Sequence, residues 1–225
     1  QGQSIILQSK GRTFLVDCGG SYDDEAADMA AEQLLSMGIN RIDGMILTHY
    51  DADHAGGVTQ FLTRIRVDSL YFPQWEENDP KGQRLGTLDG VCLVDRDMVL
   101  QYDTAKITLI TSKRVNSRNE SSLCVLFQTK NCDILLTGDR SAAGELELLE
   151  RMDLPRLEVL VAGHHGSKHS TSQALLDATQ PQVVVISVGA NNGYGHPAQE
   201  LLDRLAELGC TVFRTDLDGT ILIRG

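Results

Sequence analysis

No stretch of this sequence is apolar for long enough to cross a membrane: its longest runs, such as residues 183–188, fall far short of the ~20 residues a spanning helix needs. No signal peptide is visible, and the start at Gln1 without a methionine points to a mature fragment or a domain cut from something larger. Pro-rich or Ser-rich linkers, repeats and low-complexity tracts are also missing, so residues 1–225 read as a single α/β domain. The five cysteines, Cys18, Cys92, Cys124, Cys132 and Cys210, contain no CxxC pair, which argues for buried free thiols over a disulfide scaffold or a zinc knuckle. Positive charge is scarce. A formal net charge of −11 argues against a surface that grips nucleic acid by charge alone, because backbone binding normally shows a basic face. A polyanionic substrate must meet local positive charge. Lys113, Arg114 and Arg118 form the one notable basic cluster, and two bound divalent ions would add about +4 where chemistry occurs.

Against those absences stands one dense motif. Residues 49–54 read His-Tyr-Asp-Ala-Asp-His, followed at once by Ala-Gly-Gly. The short apolar run at 44–48 ahead of it reads as a buried strand, so His49, Asp51, Asp53 and His54 fall where strand becomes loop. Imidazoles and carboxylates in one turn suit a divalent first-row metal, and Gly56 and Gly57 would let backbone pass close to an ion or bound anion.

The rest of the chain alternates strands and helices. Residues 4–8 and 12–16 form a hairpin over Lys10-Gly11, ending in Asp17-Cys18-Gly19-Gly20. Asp23 and Asp24 open an amphipathic helix stopped by Gly38. Residues 58–65 read as a helix and 69–72 as a strand, whereas 73–89 are too polar and broken to assign and look like an insert or lid. Strands follow at 106–111, 122–129 and 133–136, the last running into Thr137-Gly138-Asp139-Arg140. A helix at 142–152 precedes a strand at 157–162, which runs into Gly163-His164-His165-Gly166-Ser167-Lys168-His169-Ser170. A helix at 172–179, a strand at 183–188, a helix opened by Pro197 with Leu201, Leu202, Leu205 and Leu208 buried, and a closing pair of strands complete the chain. Asp216 and Asp218 shape the turn before the last strand. Two sheets packed together with helices outside is the architecture this rhythm suggests.

The order of motifs resembles the metallo-β-lactamase superfamily, whose four-layered αββα fold sets two packed mixed β-sheets between outer helices and holds one or two metals at their edge. Asp17 matches the first family aspartate, HYDADH the main metal motif, Asp139 in LLTGD the bridging carboxylate, and His164 or His165 the late histidine. A narrower likeness, in AGHHGSKHS, ISVGANNGYGHP and RTDLDGTI, is to the C-terminal domain of the ComEC competence proteins, the DNA-uptake channels. The resemblance covers almost the whole chain and is weakest over residues 73–115. It departs from the superfamily twice: Asp51 stands where most members have a second histidine, and no histidine lies between His54 and His164. Asn119, Ser121, Ser122 or water would stand in for the missing ligand.

By that resemblance His49, Asp51 and Asp139 hold one divalent ion, and Asp53, His54, Asp139 and a late histidine a second. Three carboxylates, about three imidazoles and no thiolate make a hard donor set, so Mn2+ is favoured and Zn2+ is the alternative. Two such ions would make water nucleophilic and offset charge on a phosphoryl group, with Asp53 counted in the catalytic machinery as well as among the ligands. Of the adjacent histidines His165 is the favoured ligand, while His164 meets substrate. Ser167 and Lys168 would contact a phosphate oxygen, and His196, placed at a helix start, would protonate the leaving oxygen. Asp17 orients the metal loop without touching an ion. The expected function is a metal-dependent phosphodiester hydrolase, a nuclease acting on DNA during competence uptake. The alternatives are hydrolysis of a small phosphoester or phosphorylcholine, and a non-catalytic part of a channel. Expected partners are DNA and the other domains of a bacterial membrane parent that tethers an otherwise soluble, monomeric fragment.

Overall fold

A two-residue turn at Lys10 and Gly11, both with left-handed φ (41° and 84°), closes the first hairpin, since that turn matches the twist of paired strands. The computed structural model describes residues 1–20, 25–74, 79–113 and 119–224. They fall into two units, Gln1–Met98 and Val99–Gly225.

In the first unit, β1 (Gly2–Ser9) and β2 (Arg12–Gly20) form that hairpin. The helix α1 (Glu25–Ser36) buries Ala27, Ala30, Ala31 and Leu34 on one face, and Gly38 follows with φ 76°. Asp23 and Asp24, expected at its start, lie outside the described residues. Then come β3 (Arg41–Ile42), β4 (Gly44–Ile46), α2 (Ala52–Ala55), α3 (Val58–Arg64), β5 (Arg66–Val67), β6 (Leu70–Pro73), α4 (Pro80–Gly86) and β7 (Val91–Val94). A mixed five-stranded sheet runs β1-β2-β4-β6-β7, with only the β1/β2 pair antiparallel. Leu15, Met45, Leu47, Phe61 and Phe72 lie in its core. Of the stretch 73–89, residues 75–78 lie outside the described residues, and 79–89 are more ordered than their polarity suggests. Asp79 accepts from the Lys81 and Gly82 amides, both at 3.1 Å, Pro80 opens α4, and Leu85 anchors it by burial.

The second unit begins at the boundary inside β8 (Met98–Gln101) and continues through β9 (Ala105–Ile110), β10 (Cys124–Thr129), β11 (Asp133–Leu136), α5 (Ala142–Arg151), β12 (Val159–Val161), a 3-10 turn at Gly163–Gly166, α6 (Gln173–Thr179), β13 (Val183–Ile186), α7 (Gln199–Leu208), β14 (Thr211–Arg214) and α8 (Thr215–Asp218). Its seven strands run β14-β13-β12-β11-β10-β9-β8, parallel from β11 to β14 and antiparallel across β9, β10 and β11. Two expectations fail here. Pro197 precedes α7 rather than opening it, because Ala198 occupies the cap. Among the described residues the chain also closes on one strand, not two. After β14, Asp218 accepts from the Arg214 amide at 2.8 Å and Asp216 grips the Arg214 guanidinium, turning the chain into α8, and residues 221–224 join no sheet.

Each unit is a mixed sheet with helices, the α/β class expected. No described helix is long and apolar enough to cross a membrane. All five cysteines are free, but only Cys18 and Cys124 are fully buried. Burial pushes the Cys124 thiol up to about 11, so it stays protonated near neutrality.

Candidate metal centre

The histidine motif leaves the carboxyl end of β4, beside its parallel neighbour β2. A bulge in the β1/β2 register, between Gln3 and Ile5, accompanies a left-handed Asp17 (φ 58°), and such bulges re-aim a strand residue. Asp17 is fully buried, and donors surround its carboxylate. Gln3 Nε2 donates at 2.9 Å, the Thr48 amide at 2.8 Å, the Thr48 hydroxyl at 2.9 Å and His54 Nδ1 at 2.8 Å. With its proton given to Asp17, that hydroxyl accepts from His49 Nδ1 at 3.1 Å. One buried carboxylate thus fixes the tautomer of two imidazoles, directly for His54 and through Thr48 for His49. Both rings keep the Nε2 lone pair as their ligand atom.

The rings lie 4.1 Å apart, centroid to centroid, at 45°. His49 and His54 offer ligand atoms within 4.8 Å of each other, and so do Asp53 and His54. Asp51 Oδ2 stands 3.9 Å from His49 Nε2. The α2 turn that carries Asp53 and His54 presses on β2 so closely that a Cβ on Gly19 would sit 2.4 Å from the His54 nitrogen. Gly57, expected with Gly56 to let backbone pass close to an ion, has a packing role of its own. A Cβ on Gly57 would lie 2.7 Å from the Ala27 methyl, and its amide donates to the Cys18 carbonyl at 2.7 Å.

In the second unit the functional side chains gather where β11 and β12 end side by side. After β11, Gly138 (φ 58°) turns the chain and the Asp139 amide donates to Ser122 Oγ at 3.3 Å. Ser122, a possible substitute for the missing ligand, is therefore engaged in holding the Asp139 turn. Arg140, fully buried, ties down the same corner: its Nε donates to the Ser122 carbonyl and its Nη2 to the Ile110 carbonyl, both at 2.8 Å. After β12, His164 (φ 49°, ψ 47°) and His165 (φ 53°, ψ 26°) are both left-handed, a conformation that costs a non-glycine residue about 1–2 kcal/mol.

That strain separates two adjacent side chains. His164, about a third exposed, puts Nε2 3.6 Å from Asp139 Oδ2. His165, 1% exposed, donates Nδ1–H to the Ser187 carbonyl at 2.8 Å beyond β13, which leaves Nε2 as its ligand atom. Behind the turn, the buried Glu145 accepts from the Thr171 and Ser172 amides at 2.6 and 2.7 Å, Thr171 Oγ1 accepts from the Gly163 amide at 2.9 Å, and Arg204 donates to the Ser170 carbonyl at 3.0 Å. Burial raises the Glu145 carboxyl above its ordinary value.

Ser167 is tucked into the turn, its hydroxyl accepting from the His169 amide at 3.3 Å, while the exposed Lys168 reaches Glu200 at 3.9 Å. His196 lies edge-on to His164, centroids 5.9 Å apart, in the loop before α7 and not within it. Burial, and then the charges of His164 and His165, lowers its pKa. No helix dipole is needed. Lys113 is exposed, and Arg114 and Arg118 lie outside the described residues. Sequence reading passed over Thr48, Gln3, Glu145, Arg140 and Arg204. Only Thr48, a polar residue ending an apolar strand just before His49, left a local sign of its role.

These donors fit a divalent first-row cation: in both units ring nitrogens are oriented by a carboxylate, a hydroxyl or a carbonyl behind them, and carboxylates sit alongside.

A model of the metallo-β-lactamase superfamily matches residues 1–190. ComE operon protein 3 of Bacillus subtilis (strain 168) is 32% identical over 247 residues, taking in 100% of this chain and 32% of that protein. Competence protein ComA of Neisseria gonorrhoeae is 31% identical over 224 residues, 98% of this chain and 30% of that protein. The chain thus spans about a third of the length of these relatives. Among solved structures, the metallo-β-lactamase fold protein YhfI from Bacillus subtilis superposes with a TM-score of 0.64 at 13% identity, over 95% of this chain and 88% of that one, a likeness of fold. The narrower likeness of AGHHGSKHS and ISVGANNGYGHP to competence proteins agrees with those relatives, and the family match over residues 1–190 agrees with the histidine motif and the strand ends that carry it: this chain belongs to the metallo-β-lactamase superfamily.

Proposed function

We propose that this chain is a metal-dependent phosphodiester hydrolase whose substrate is a DNA strand handled during competence uptake. One observation carries the hydrolase reading: Asp17 and Thr48 lock His49 and His54 into the tautomer that turns Nε2 outward, an arrangement that suits ligation and adds little to a core. His49, Asp51 and Asp139 are the proposed holders of one divalent ion, and Asp53, His54, Asp139 and His165 of the other, with Mn2+ favoured over Zn2+ for so carboxylate-rich a set. Bound divalent cations lower the pKa of water toward about 7 and neutralise charge building on a phosphoryl group.

The chain's own groups do the rest. Lys168, the exposed cation on the histidine turn, meets a non-bridging phosphate oxygen, and Ser167 shapes the turn that presents it. His164, whose Nε2 lies 3.6 Å from Asp139 Oδ2, faces substrate, and His196, edge-on to it, supplies a proton to the leaving oxygen. The competence names of the relatives support DNA uptake as the setting, and the remaining domains of a membrane-tethered parent as neighbours and a monomeric state for this part belong to the same proposal.

The test is incubation of the metal-loaded protein with single- and double-stranded DNA. Cleavage with Mn2+ that is lost in Asp53→Ala and Asp139→Ala is expected. A folded preparation that cuts neither substrate with Mn2+, Zn2+ or Mg2+ overturns the reading. The net charge of −11 favours one second reading, hydrolysis of a small phosphoester or phosphorylcholine. Faster turnover of a nitrophenyl phosphodiester than of DNA would select it.

A further inference from the structure

Tyr194 is 69% exposed although its ring already meets that of a neighbour. Its ring lies 6.1 Å from that of His196, centroid to centroid, at 21°. His196 meets His164 at 5.9 Å and 70°, and His164 reaches Asp139. Three rings therefore file outward from the carboxylate, and the last shows its far face to water. Space around it is open: a Cβ on Gly193 or Gly195 would touch nothing within 4 Å.

The loop is held in shape before anything binds. The Asn192 amide donates to the carbonyls of Gly189 (3.0 Å) and His196 (2.7 Å), and accepts from the amides of Tyr194 (3.2 Å) and His196 (3.0 Å). The Ala198 amide donates to the Gly166 carbonyl at 2.9 Å, fixing this loop to the turn that carries Ser167 and Lys168. A flat, exposed aromatic in a loop hydrogen-bonded to the turn that carries Lys168 offers the kind of contact an unpaired strand needs, a face on which a base can stack.

We propose that Tyr194 is a stacking platform for a nucleobase of the substrate, so that this site selects an unpaired, base-bearing strand over a bare phosphodiester. The proposal rests on the phosphodiesterase reading, and its test separates the two. Tyr194→Ala, Tyr194→Trp and the parent are compared on a single-stranded oligonucleotide and on one of equal length built of abasic residues, with KM and kcat measured for cleavage and anisotropy for equilibrium binding. Tyr194→Ala should raise KM and Kd for the base-bearing strand about 5- to 150-fold, the worth of one stacked base, with far less change for the abasic strand. Tyr194→Trp should restore both. Equal losses on the two strands, no loss on either, or no binding of the base-bearing strand by the parent would overturn the platform. If the parent cuts nothing yet the binding difference holds, the platform stands and the hydrolase reading falls.

Discussion

Both units aim histidines, but by different means. In Gln1–Met98 the imidazoles lean on side chains, the Asp17 carboxylate and the Thr48 hydroxyl, and neither His49 nor His54 has a left-handed backbone. In Val99–Gly225 the backbone itself is bent into the left-handed region at two successive histidines, and His165 leans on a carbonyl. The first arrangement is vulnerable to loss of a side-chain partner, and the second to a residue that resists positive φ.

The largest break should come from Asp17→Ala. It strands the Gln3 amide, the Thr48 hydroxyl and amide and the His54 N–H together, costing at least about 4 kcal/mol in chemical denaturation at roughly 1–3 kcal/mol per buried unmet group. Asp17→Asn, closer in shape, should still weaken divalent-ion affinity about 10- to 100-fold in calorimetric titration. Unchanged affinity there would show that the rings aim themselves.

Next comes the relay. Thr48→Val keeps volume and removes the hydroxyl between Asp17 and His49, so chemical denaturation should show a loss of about 1–3 kcal/mol that Thr48→Ser largely recovers. The comparison is sharpened from the other side by His164. His164→Val should be less stable than His164→Asn by about 1–2 kcal/mol, since asparagine tolerates left-handed φ and valine does not. Equal stability would mean that the turn relaxes without strain.

The smallest effect lies away from the ligands, at Glu147. Burial works against its charge, yet the Lys113 amide, the Ser112 hydroxyl and Arg151 outweigh burial and hold its pKa below the ordinary 4.5. A carboxyl lowered in the folded state adds stability above its unfolded value and loses it as pH falls through the folded one. Glu147→Gln should therefore lower Tm near neutrality, and the gap from the parent should close below about pH 4.5. A gap constant from neutral to acid pH would contradict the assignment.

Much of this was legible because patterns of period 2 and 3.6 are local. The first hairpin, α1, α3, β10 to β13 and α7 stand close to where apolar spacing put them. What stayed hidden depended on contacts or backbone sign. The short, mostly polar α4 rests on an Asp79 cap and one buried leucine, too little apolar period to see. β7 and β8, four residues each, drew no assignment. The alternating rhythm suggests a closing pair of strands, but the contacts of Arg214 with Asp216 and Asp218 turn the chain into α8 after the first of them. At the site, HYDADH announced a metal loop, whereas the division of labour between His164 and His165 needed φ values that no residue name carries. The partners that aim His49 come from β2 and the end of β4, about thirty positions apart in the case of Asp17 and Thr48.

Arg140 has one further outcome. Its guanidinium is sealed inside while spanning the end of β9 and the segment entering β10, and its stem runs alongside Gly144, where a Cβ would come within 3.2 Å of it. A permanent cation in that position acts as a keyed bolt. Sliding α5 by a single residue would drive a side chain into the stem, so the place of Asp139 is set jointly by β9, the segment entering β10 and α5.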